Sequence, residues 1–480
     1  MMTIGDLSVT MLAEKLASGE LDSVSIVRAY REAWKQDEKS EKPLHGYIEF
    51  FDSAESDAVE ADTARAAGDT RPLLGIPFAV KDNISIKGKR CTCGSRILEG
   101  YVAPYNATVI DRLIAAGAIP LGRTNMDEFA MGSSTEYSCH GPSRNPVDRD
   151  RTPGGSSGGS AAVVAGGQAP VALGTETGGS VRLPASYCGI YGFKPTYGTL
   201  SRSGVVAFGS SLDQVGLLAR SVDDLGLMLS VIAGRDPLDN TSADRDFSSL
   251  AHLSCADLSK LKIALPKEFM DEQGLAPEIA AVFEETCRWF RDRGAAIETV
   301  SIPVLEAAIS SYYVIALSEA ASNLSRFDGI RYGLRKDPLA SFDDLYVATR
   351  SDGFGAEVKR RIVIGNYVLS THFSGDTYRK AMNVRARIQR DVAAVFETHD
   401  ILLCPTNPAP AFPLGSRVDD PLDMYLTDLY TTFVNLARIP SLSIPAGKTA
   451  AGLPVGVQIC GPMGGEKTIL EVARAREKSR

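Results

Sequence analysis

The sequence has few histidines and tryptophans, no long apolar run and no excess of basic residues. It carries five histidines and two tryptophans in 480 residues. No run approaches the roughly 18 apolar residues that span a bilayer. The opening MMTIGDLSVT has no basic segment that leads into an apolar one. We therefore expect no membrane contact, no secretory signal and a cytoplasmic location.

Cysteine usage and charge argue against two further kinds of site. Eight cysteines are scattered along the chain, and the only close pair, Cys91 and Cys93, lacks the matching second pair of a zinc site. We expect reduced thiols and no bound metal. The net charge of −8 at pH 7 argues against this chain being the main contact for a nucleic acid, because phosphates favour a basic surface.

The first 70 residues are predicted to form helices. Ser23 stands where its side chain can cap a helix, and residues 52–69 form an alanine-rich helix on the surface. We treat residues 1–70 as an N-terminal helical region and residues 71–480 as a single large domain, although length alone favours about three domains. The loop at 235–249 is either a boundary or a surface insertion.

After residue 70, short apolar runs alternate with helical patterns. The runs IPFAV and AIPLGR have strand character, and the helix pattern between them is stopped by a glycine. A later helix pattern is flanked by the strand candidates KIALP and IETVS. This alternation predicts an α/β fold. The predicted elements are strands at 76–80 and 118–123 and helices at 108–117 and 276–294.

Three segments carry residues suited to acyl transfer: VKDN (80–83), TPGGSSGGSAA (152–162) and GTETGGSVR (174–182). Glycine at this density is expected where the backbone turns sharply or approaches a ligand. A serine in such a loop can act as a nucleophile when an amine serves as its base. The combination indicates acyl transfer from an amide or an ester.

Two other interpretations of the glycine-rich loops are weaker. GGSSG (154–158) formally matches the G-x-S-x-G nucleophile elbow, which needs a strand running into the serine. The preceding residues, 143–153, are polar and include two prolines. The adjacent pair His399 and Asp400 cannot orient one another as a catalytic triad requires. A phosphate-binding loop is disfavoured because no GK[ST] follows the glycines.

Lys81 is the candidate base, because it ends the apolar run FAV and can point into a dry site. A free lysine has a pKa of about 10.4 and is protonated at neutral pH. Burial lowers that pKa and makes a neutral amine available. The alternative is a solvated strand end. In the TGGS loop (177–180), consecutive backbone N–H groups precede Ser180, as an oxyanion hole requires.

The motifs together resemble the amidase signature family. VKDNI, GSSTE, PGGSSGGSAA, GTETGGSVR, PASYCGIYGFKPTYG and SSLDQVG occur in the family's order, within a signature core at about 76–216. The resemblance implies a mixed β-sheet covered by helices on both faces. It also implies that Ser180 is the acylated nucleophile, that Ser156 follows a cis peptide bond and bridges to it, and that Lys81 is the base. The implied oxyanion donors are the backbone amides of Thr177, Gly178 and Gly179.

Three distal stretches resemble one branch of that family, the A subunits of glutamyl-tRNA(Gln) amidotransferases. They are 311–333, with the distinctive RFDGIRYG, 353–370 and 424–447. This resemblance implies that free glutamine is held by a tyrosine, an arginine and an aspartate. The guanidinium pairs with the α-carboxylate, and the aspartate pairs with the α-ammonium. The matching residues are Tyr312, Arg361 and Asp428, with the neighbours Tyr313 and Arg360 as alternatives.

The same resemblance implies a glutaminase with two partner subunits. One partner binds the tRNA and uses ATP and magnesium, and the other is a small clamp subunit. The chain itself is then expected to need no cofactor. Two residues depart from the usual pattern: Tyr137 replaces an asparagine, and Arg438 replaces a glycine. Alternatives are a stand-alone amidase for small aliphatic or aryl amides, and a scaffold that has lost the chemistry.

Overall fold

The computed structural model describes residues 3–270, 274–336, 341–370 and 376–479. Its strands all belong to one sheet, in the order β1-β3-β2-β4-β6-β5-β10-β11-β9-β7-β8. The strands in these described residues are β1 (Tyr47–Phe50), β2 (Pro77–Lys81), β3 (Ile119–Thr124), β4 (Val171–Glu176), β5 (Tyr191–Lys194), β6 (Gln214–Ala219), β7 (Lys262–Pro266), β8 (Ala296–Val300), β9 (Ile401–Pro405), β10 (Ser441–Lys448) and β11 (Pro454–Cys460).

The helices of the described residues surround this sheet, and several of them pack directly on it. They are α1 (Val9–Ala17), α2 (Ser23–Glu38), α3 (Ser53–Ala66), α4 (Thr108–Ala115), α5 (Gly158–Ala165), α6 (Arg182–Cys188), α7 (Val222–Ile232), α8 (Pro277–Arg291), α9 (Ala308–Asn323), α10 (Phe342–Gly353), α11 (Ala356–Leu369), α12 (Asp376–Val395), α13 (Pro421–Leu426), α14 (Thr432–Ala437) and α15 (Glu466–Glu477).

The sheet is mixed, as predicted. β2 lies between β3 and β4 and is parallel to both, and β7 is likewise parallel to β8 and β9. The other pairings are antiparallel. In β9, Ile401 and Leu403 belong to one hydrophobic core while Leu402 and Cys404 belong to a second. Because alternate side chains of a strand point to opposite faces, both faces of the sheet are covered there.

Most of the predicted elements are confirmed. The runs at 76–80 and 118–123 form β2 and β3, and the helix between them is α4. KIALP and IETVS form β7 and β8, which are parallel and enclose α8. A proline opens α8, where a missing N–H costs nothing, and its apolar residues are buried along one side.

Two predictions for the N-terminal region are wrong in detail. Asp22, not Ser23, caps α2, because the Asp22 carboxylate accepts the N–H of Ser25 at 2.6 Å. The first 70 residues also contain β1, which pairs with β3 and buries Tyr47 and Phe50. Its pairing partner lies outside the region, so local sequence gives no sign of it. The division at residue 70 stays a prediction.

The sequence predicts no membrane-spanning segment. Within the described residues, one helical stretch, Pro303–Arg326, is long and apolar enough to cross a membrane. Most of its apolar window is buried against the rest of the fold.

Candidate active site

Lys81 ends β2 and is completely buried. Its Nζ lies 2.8 Å from Ser156 Oγ, 2.8 Å from Ser157 Oγ and 3.1 Å from the carbonyl oxygen of Thr175. The reason is the topology of the sheet. β2 lies between two parallel strands, so its carboxyl end lies at the same edge of the sheet as the loops that follow β3 and β4. The interpretation of Lys81 as a solvated strand end is therefore wrong.

Burial lowers the pKa of Lys81 to about 7, and the carboxylates of Asp127, Asp213 and Glu176 oppose that shift only in part. A protonated amine loses its hydration when it is buried, and this penalty favours the neutral form. At neutral pH, a large fraction of the Lys81 side chains is therefore unprotonated and able to accept a proton.

Ser156 follows a cis peptide bond from Gly155. Asp127 ties this loop to the GSSTE segment (132–136). Its backbone N–H donates to the Ser156 carbonyl at 3.3 Å, and its carboxylate accepts backbone N–H groups of residues 134–137, the shortest from Thr135 at 2.9 Å. A Cβ atom on Gly155 would lie 2.1 Å from Asp127 Oδ2. Glycine at 155 is therefore required for the two loops to approach each other.

Ser180 lies between β4 and α6 and is mostly buried. The Glu176 carboxylate shapes this connection by accepting the N–H of Val181 at 3.0 Å and that of Arg182 at 3.1 Å. The Arg182 side chain also forms a buried ion pair with Glu176. The N–H of Ser157 donates to the Ser180 carbonyl at 3.1 Å, which joins the two serine loops. Among the described residues, no hydrogen bond joins the hydroxyls of Ser156 and Ser180.

The predicted oxyanion residues lie in the turn before Ser180. The Thr177 hydroxyl donates to Asp213 at 2.6 Å, which fixes the start of the turn. A Cβ atom on Gly178 would lie 2.4 Å from Cζ of Tyr312, so only glycine fits there. The backbone N–H groups of Gly178 and Gly179 donate to no other group in the part of the chain that the structure describes. They are available to a developing negative charge.

The predicted ligand residues come from three later segments: Tyr312 from α9, Arg361 from α11, and Asp428 from the turn after α13. Tyr312 lines the site by packing on Gly178, whereas the hydroxyl of Tyr313 donates to Asp428 at 3.0 Å. Both tyrosines of the ambiguous pair therefore face the site. Burial raises the pKa of Asp428 to about 7, because a carboxylate loses its hydration there.

Arg361 is the buried member of its pair, while the Arg360 side chain is 40% exposed. Its Nε donates to Glu357 at 2.7 Å, one helical turn earlier. The guanidinium lies 5.0 Å from the ring centroid of Tyr425, whose hydroxyl also donates to Glu357, at 2.9 Å. Arg361 Nη2 is buried and has no hydrogen-bond partner among the described residues. A ligand carboxylate would satisfy it.

Several residues of the site are absent from the sequence prediction. Ser157 bonds to Lys81, Ser133 donates to Asp428 at 3.0 Å, and Glu357 and Tyr425 hold Arg361. Glu357 could have been found, since an acidic residue four positions before an arginine on a helix is an expected ion pair. The other contacts join distant segments, and the sequence carries no signal for them.

The two unusual residues take different positions. Tyr137 is half-buried and packs against a small apolar cluster that includes Leu183 and Tyr187 of α6. Arg438 ends α14 with φ of +63°, a conformation that favours glycine. Its guanidinium lies 4.9 Å from the ring centroid of Tyr197. Stacking on that ring holds the arginine at a position where glycine would be less strained.

The Amidase family matches residues 28–470 of this chain. The A subunit of glutamyl-tRNA(Gln) amidotransferase from Treponema denticola is 63% identical over 481 residues, which cover 99% of each chain. The protein of that name from Geobacillus thermodenitrificans is 46% identical over 480 residues, covering 100% of this chain and 98% of the other.

Solved structures agree with these matches in fold. The A subunit of glutamyl-tRNA(Gln) amidotransferase from Thermotoga maritima has a TM-score of 0.82 at 38% identity, covering 100% of this chain and 96% of the other. A peptide amidase from Stenotrophomonas maltophilia has a TM-score of 0.84 at 31% identity, covering 99% and 97%. The resemblance drawn from the glycine-rich motifs is confirmed. The chain belongs to the amidase family.

Proposed function

We propose that this chain is the glutamine-hydrolysing subunit of a tRNA-dependent amidotransferase that converts Glu-tRNA(Gln) to Gln-tRNA(Gln). The observation that carries the proposal is the juxtaposition of two sites. A buried amine bonded to Ser156 lies near the Ser180 loop, and that loop packs on Tyr312, beside a buried guanidinium and a buried carboxylate. The relatives that match over nearly the whole chain carry the corresponding name.

The reaction begins with proton transfer along a serine pair. Neutral Lys81 takes the proton of Ser156, and Ser156 takes that of Ser180 as its oxygen attacks the carboxamide carbon of glutamine. The backbone amides of Thr177, Gly178 and Gly179 stabilise the oxyanion. The proton returns to the leaving nitrogen, so ammonia departs and a glutamyl ester remains on Ser180. Water then hydrolyses the ester and releases glutamate.

The pocket provides two charged contacts for an amino acid. Arg361 Nη2 bonds to no other group in the described structure and suits the α-carboxylate. Asp428, held by Tyr313 and Ser133, suits the α-ammonium. A bound ammonium lowers the pKa of Asp428, so substrate binding itself keeps this buried carboxylate charged. Small aliphatic or aryl amides lack both charges and make no use of these residues.

The proposal includes two partner subunits. One binds the tRNA and uses ATP and magnesium to activate the misattached glutamate, and a small subunit clamps the two large ones. Ammonia passes from this chain to the tRNA-binding partner. Because the step that uses ATP and magnesium takes place on that partner, this chain needs no cofactor of its own. The net charge of −8 is consistent with tRNA contact lying mainly on the partner. The proposed target is Glu-tRNA(Gln), with Asp-tRNA(Asn) as the alternative or additional target, and the proposed location is the cytoplasm.

Glutamate release by the purified chain, with and without its partner subunits, tests the function. We expect glutamine to be preferred over propionamide and benzamide, and hydrolysis to rise when the partners and mischarged tRNA are added. Ser180→Ala should abolish hydrolysis while the protein stays folded. A preference for the simple amides would favour a stand-alone amidase, and an unchanged rate in Ser180→Ala would favour a scaffold.

Asp428→Asn tests the substrate assignment separately. We expect the KM for glutamine to rise about 10- to 100-fold, because the variant loses a charge-assisted hydrogen bond of about 1.5–3 kcal/mol. Hydrolysis of propionamide should change little. Asp423→Asn is the matched control, since this carboxylate lies on the neighbouring α13 and its side chain is 46% exposed. An equal loss on glutamine and propionamide would contradict the assignment.

A further inference from the structure

Ser157 occupies a position where a serine usually caps a helix, but its side chain does something else. It directly precedes α5, and its hydroxyl makes no capping bond to the first turn. Serine is favoured at this position because its oxygen accepts an N–H of that turn. Here the oxygen instead lies 2.8 Å from Lys81 Nζ and 3.0 Å from the Thr175 carbonyl. The Ser157 side chain therefore bonds to Lys81 and Thr175 instead of capping α5.

The donors and acceptors around Lys81 restrict the orientation of its amine. The Thr175 carbonyl can only accept, and it faces both Lys81 Nζ at 3.1 Å and Ser157 Oγ at 3.0 Å. The N–H of Thr175 donates to Ser157 Oγ at 3.3 Å. When the Ser157 hydroxyl donates its hydrogen bond to the carbonyl, its oxygen accepts hydrogen bonds from both the Thr175 N–H and Lys81. Every donor and acceptor of the group is then satisfied.

Only one direction then remains for the lone pair of the amine. A neutral lysine has two N–H bonds, and Ser157 Oγ and the Thr175 carbonyl take both. The remaining neighbour of Nζ is Ser156 Oγ at 2.8 Å. The lone pair therefore points at the hydroxyl whose proton it must remove. A reversed arrangement, in which Ser157 donates to the amine, would occupy the lone pair and block the base.

We propose that Ser157 is a positioning residue that holds neutral Lys81 with its lone pair directed at Ser156. This inference rests on the proposed function, because it assumes the Lys81–Ser156–Ser180 relay. It adds a fourth side chain, whose hydroxyl bonds to Lys81 and to the backbone of Thr175. Its effect on the reaction passes through the orientation of the Lys81 amine.

The pH dependence of kcat for glutamine hydrolysis by the complete complex tests the proposal. In Ser157→Ala, we expect the plateau above pH 8 to fall about 10- to 100-fold, since the base is no longer aligned. The acid limb of the profile, where kcat rises with pH as Lys81 loses its proton, should move about one pH unit lower. The reason is that the buried ammonium loses one hydrogen-bond acceptor, which lowers the pKa of Lys81. The variant leaves the ionisable groups around Lys81 unchanged, namely Asp127, Asp213, Glu176 and Cys93.

Ser160→Ala is the matched control. Ser160 is a buried serine on the same helix, and its hydroxyl bonds to Thr124 at 2.6 Å and to the Leu173 carbonyl at 3.0 Å. Its removal should lower stability without moving the acid limb. Should Ser157→Ala fail to fold, Ser157→Gly also removes the hydroxyl, adds no ionisable group and is tolerated at the residue before a helix. The same two changes in the profile are expected from it.

The outcomes separate this inference from the function on which it rests. Ser180→Ala with full glutaminase activity would overturn both. An inactive Ser180→Ala beside a Ser157→Ala with the wild-type plateau or an unmoved acid limb would overturn the role of Ser157 alone. A lowered plateau together with a displaced acid limb, absent from Ser160→Ala, is the result that supports it.

Discussion

Lys81 and Lys194 are two buried lysines in one sheet, and they differ in what surrounds the amine. Each ends a short apolar strand, PFAVK in β2 and YGFK in β5, and each is completely buried. Burial lowers the pKa of both to about 7. Lys81 Nζ meets two hydroxyls and a carbonyl, whereas Lys194 Nζ donates to the carbonyl of Pro195 at 2.8 Å.

A lysine base has two requirements, and these two lysines differ in only one of them. Burial supplies the neutral amine, and it does so equally at both positions. Only a hydroxyl within hydrogen-bond distance gives that amine a proton to take. Carboxylates of Glu176 and Glu466 act on Lys194 through their charge, but a backbone carbonyl offers it no proton. A lowered pKa therefore identifies a candidate base, and its hydrogen-bond partners decide whether it is one.

The largest expected difference between the two lysines is in activity. Lys81→Met should lower kcat for glutamine by about 10³- to 10⁴-fold, because methionine keeps the apolar stem and removes the base. Lys194→Met should retain kcat within a few-fold. Glutamate release by folded complexes, checked by circular dichroism, measures both. A similar loss in the two variants would remove the distinction.

The next largest effect is the acid limb of the pH–rate profile. Wild-type kcat at saturating glutamine should rise tenfold per pH unit up to about pH 7 and then level off, because Lys81 must be neutral to act. Saturation keeps Asp428 paired with its ligand, so kcat reports the base. The profile of Lys194→Met should coincide with that of the wild type. A displaced limb in this variant would show that Lys194 contributes to the base.

The smallest effect is on stability, and here the two lysines should behave alike. Their folded-state pKa values lie below the unfolded value, so the unfolded chain binds more protons between about pH 7 and 10.5. Wild-type stability relative to either methionine variant should therefore fall by about 2 kcal/mol from pH 9 to pH 7.5. Denaturant unfolding at both pH values measures it. A flat difference for either variant would contradict burial of a neutral amine there.

Much of the relay could be predicted because its residues lie in contiguous motifs. The glycine-rich segments required close backbone approach, and Gly155 and Gly178 indeed face side chains that leave no room for a Cβ atom. The residues of the ligand pocket were harder to predict from the sequence. Tyr312 and Tyr313 are neighbours on one helix, and no local pattern says that one packs on the oxyanion turn while the other bonds to Asp428.

The sequence by itself determined the order of the glycine-rich segments, the apolar strands that end in lysine and the class of chemistry. These are local properties, since short-range sterics and apolar patterning act through neighbouring residues. Only the tertiary structure decided which buried lysine meets a hydroxyl. The partners of Lys81 stand 75, 76 and 94 positions away, and the packing of β2 beside β4 and α5 brings them together.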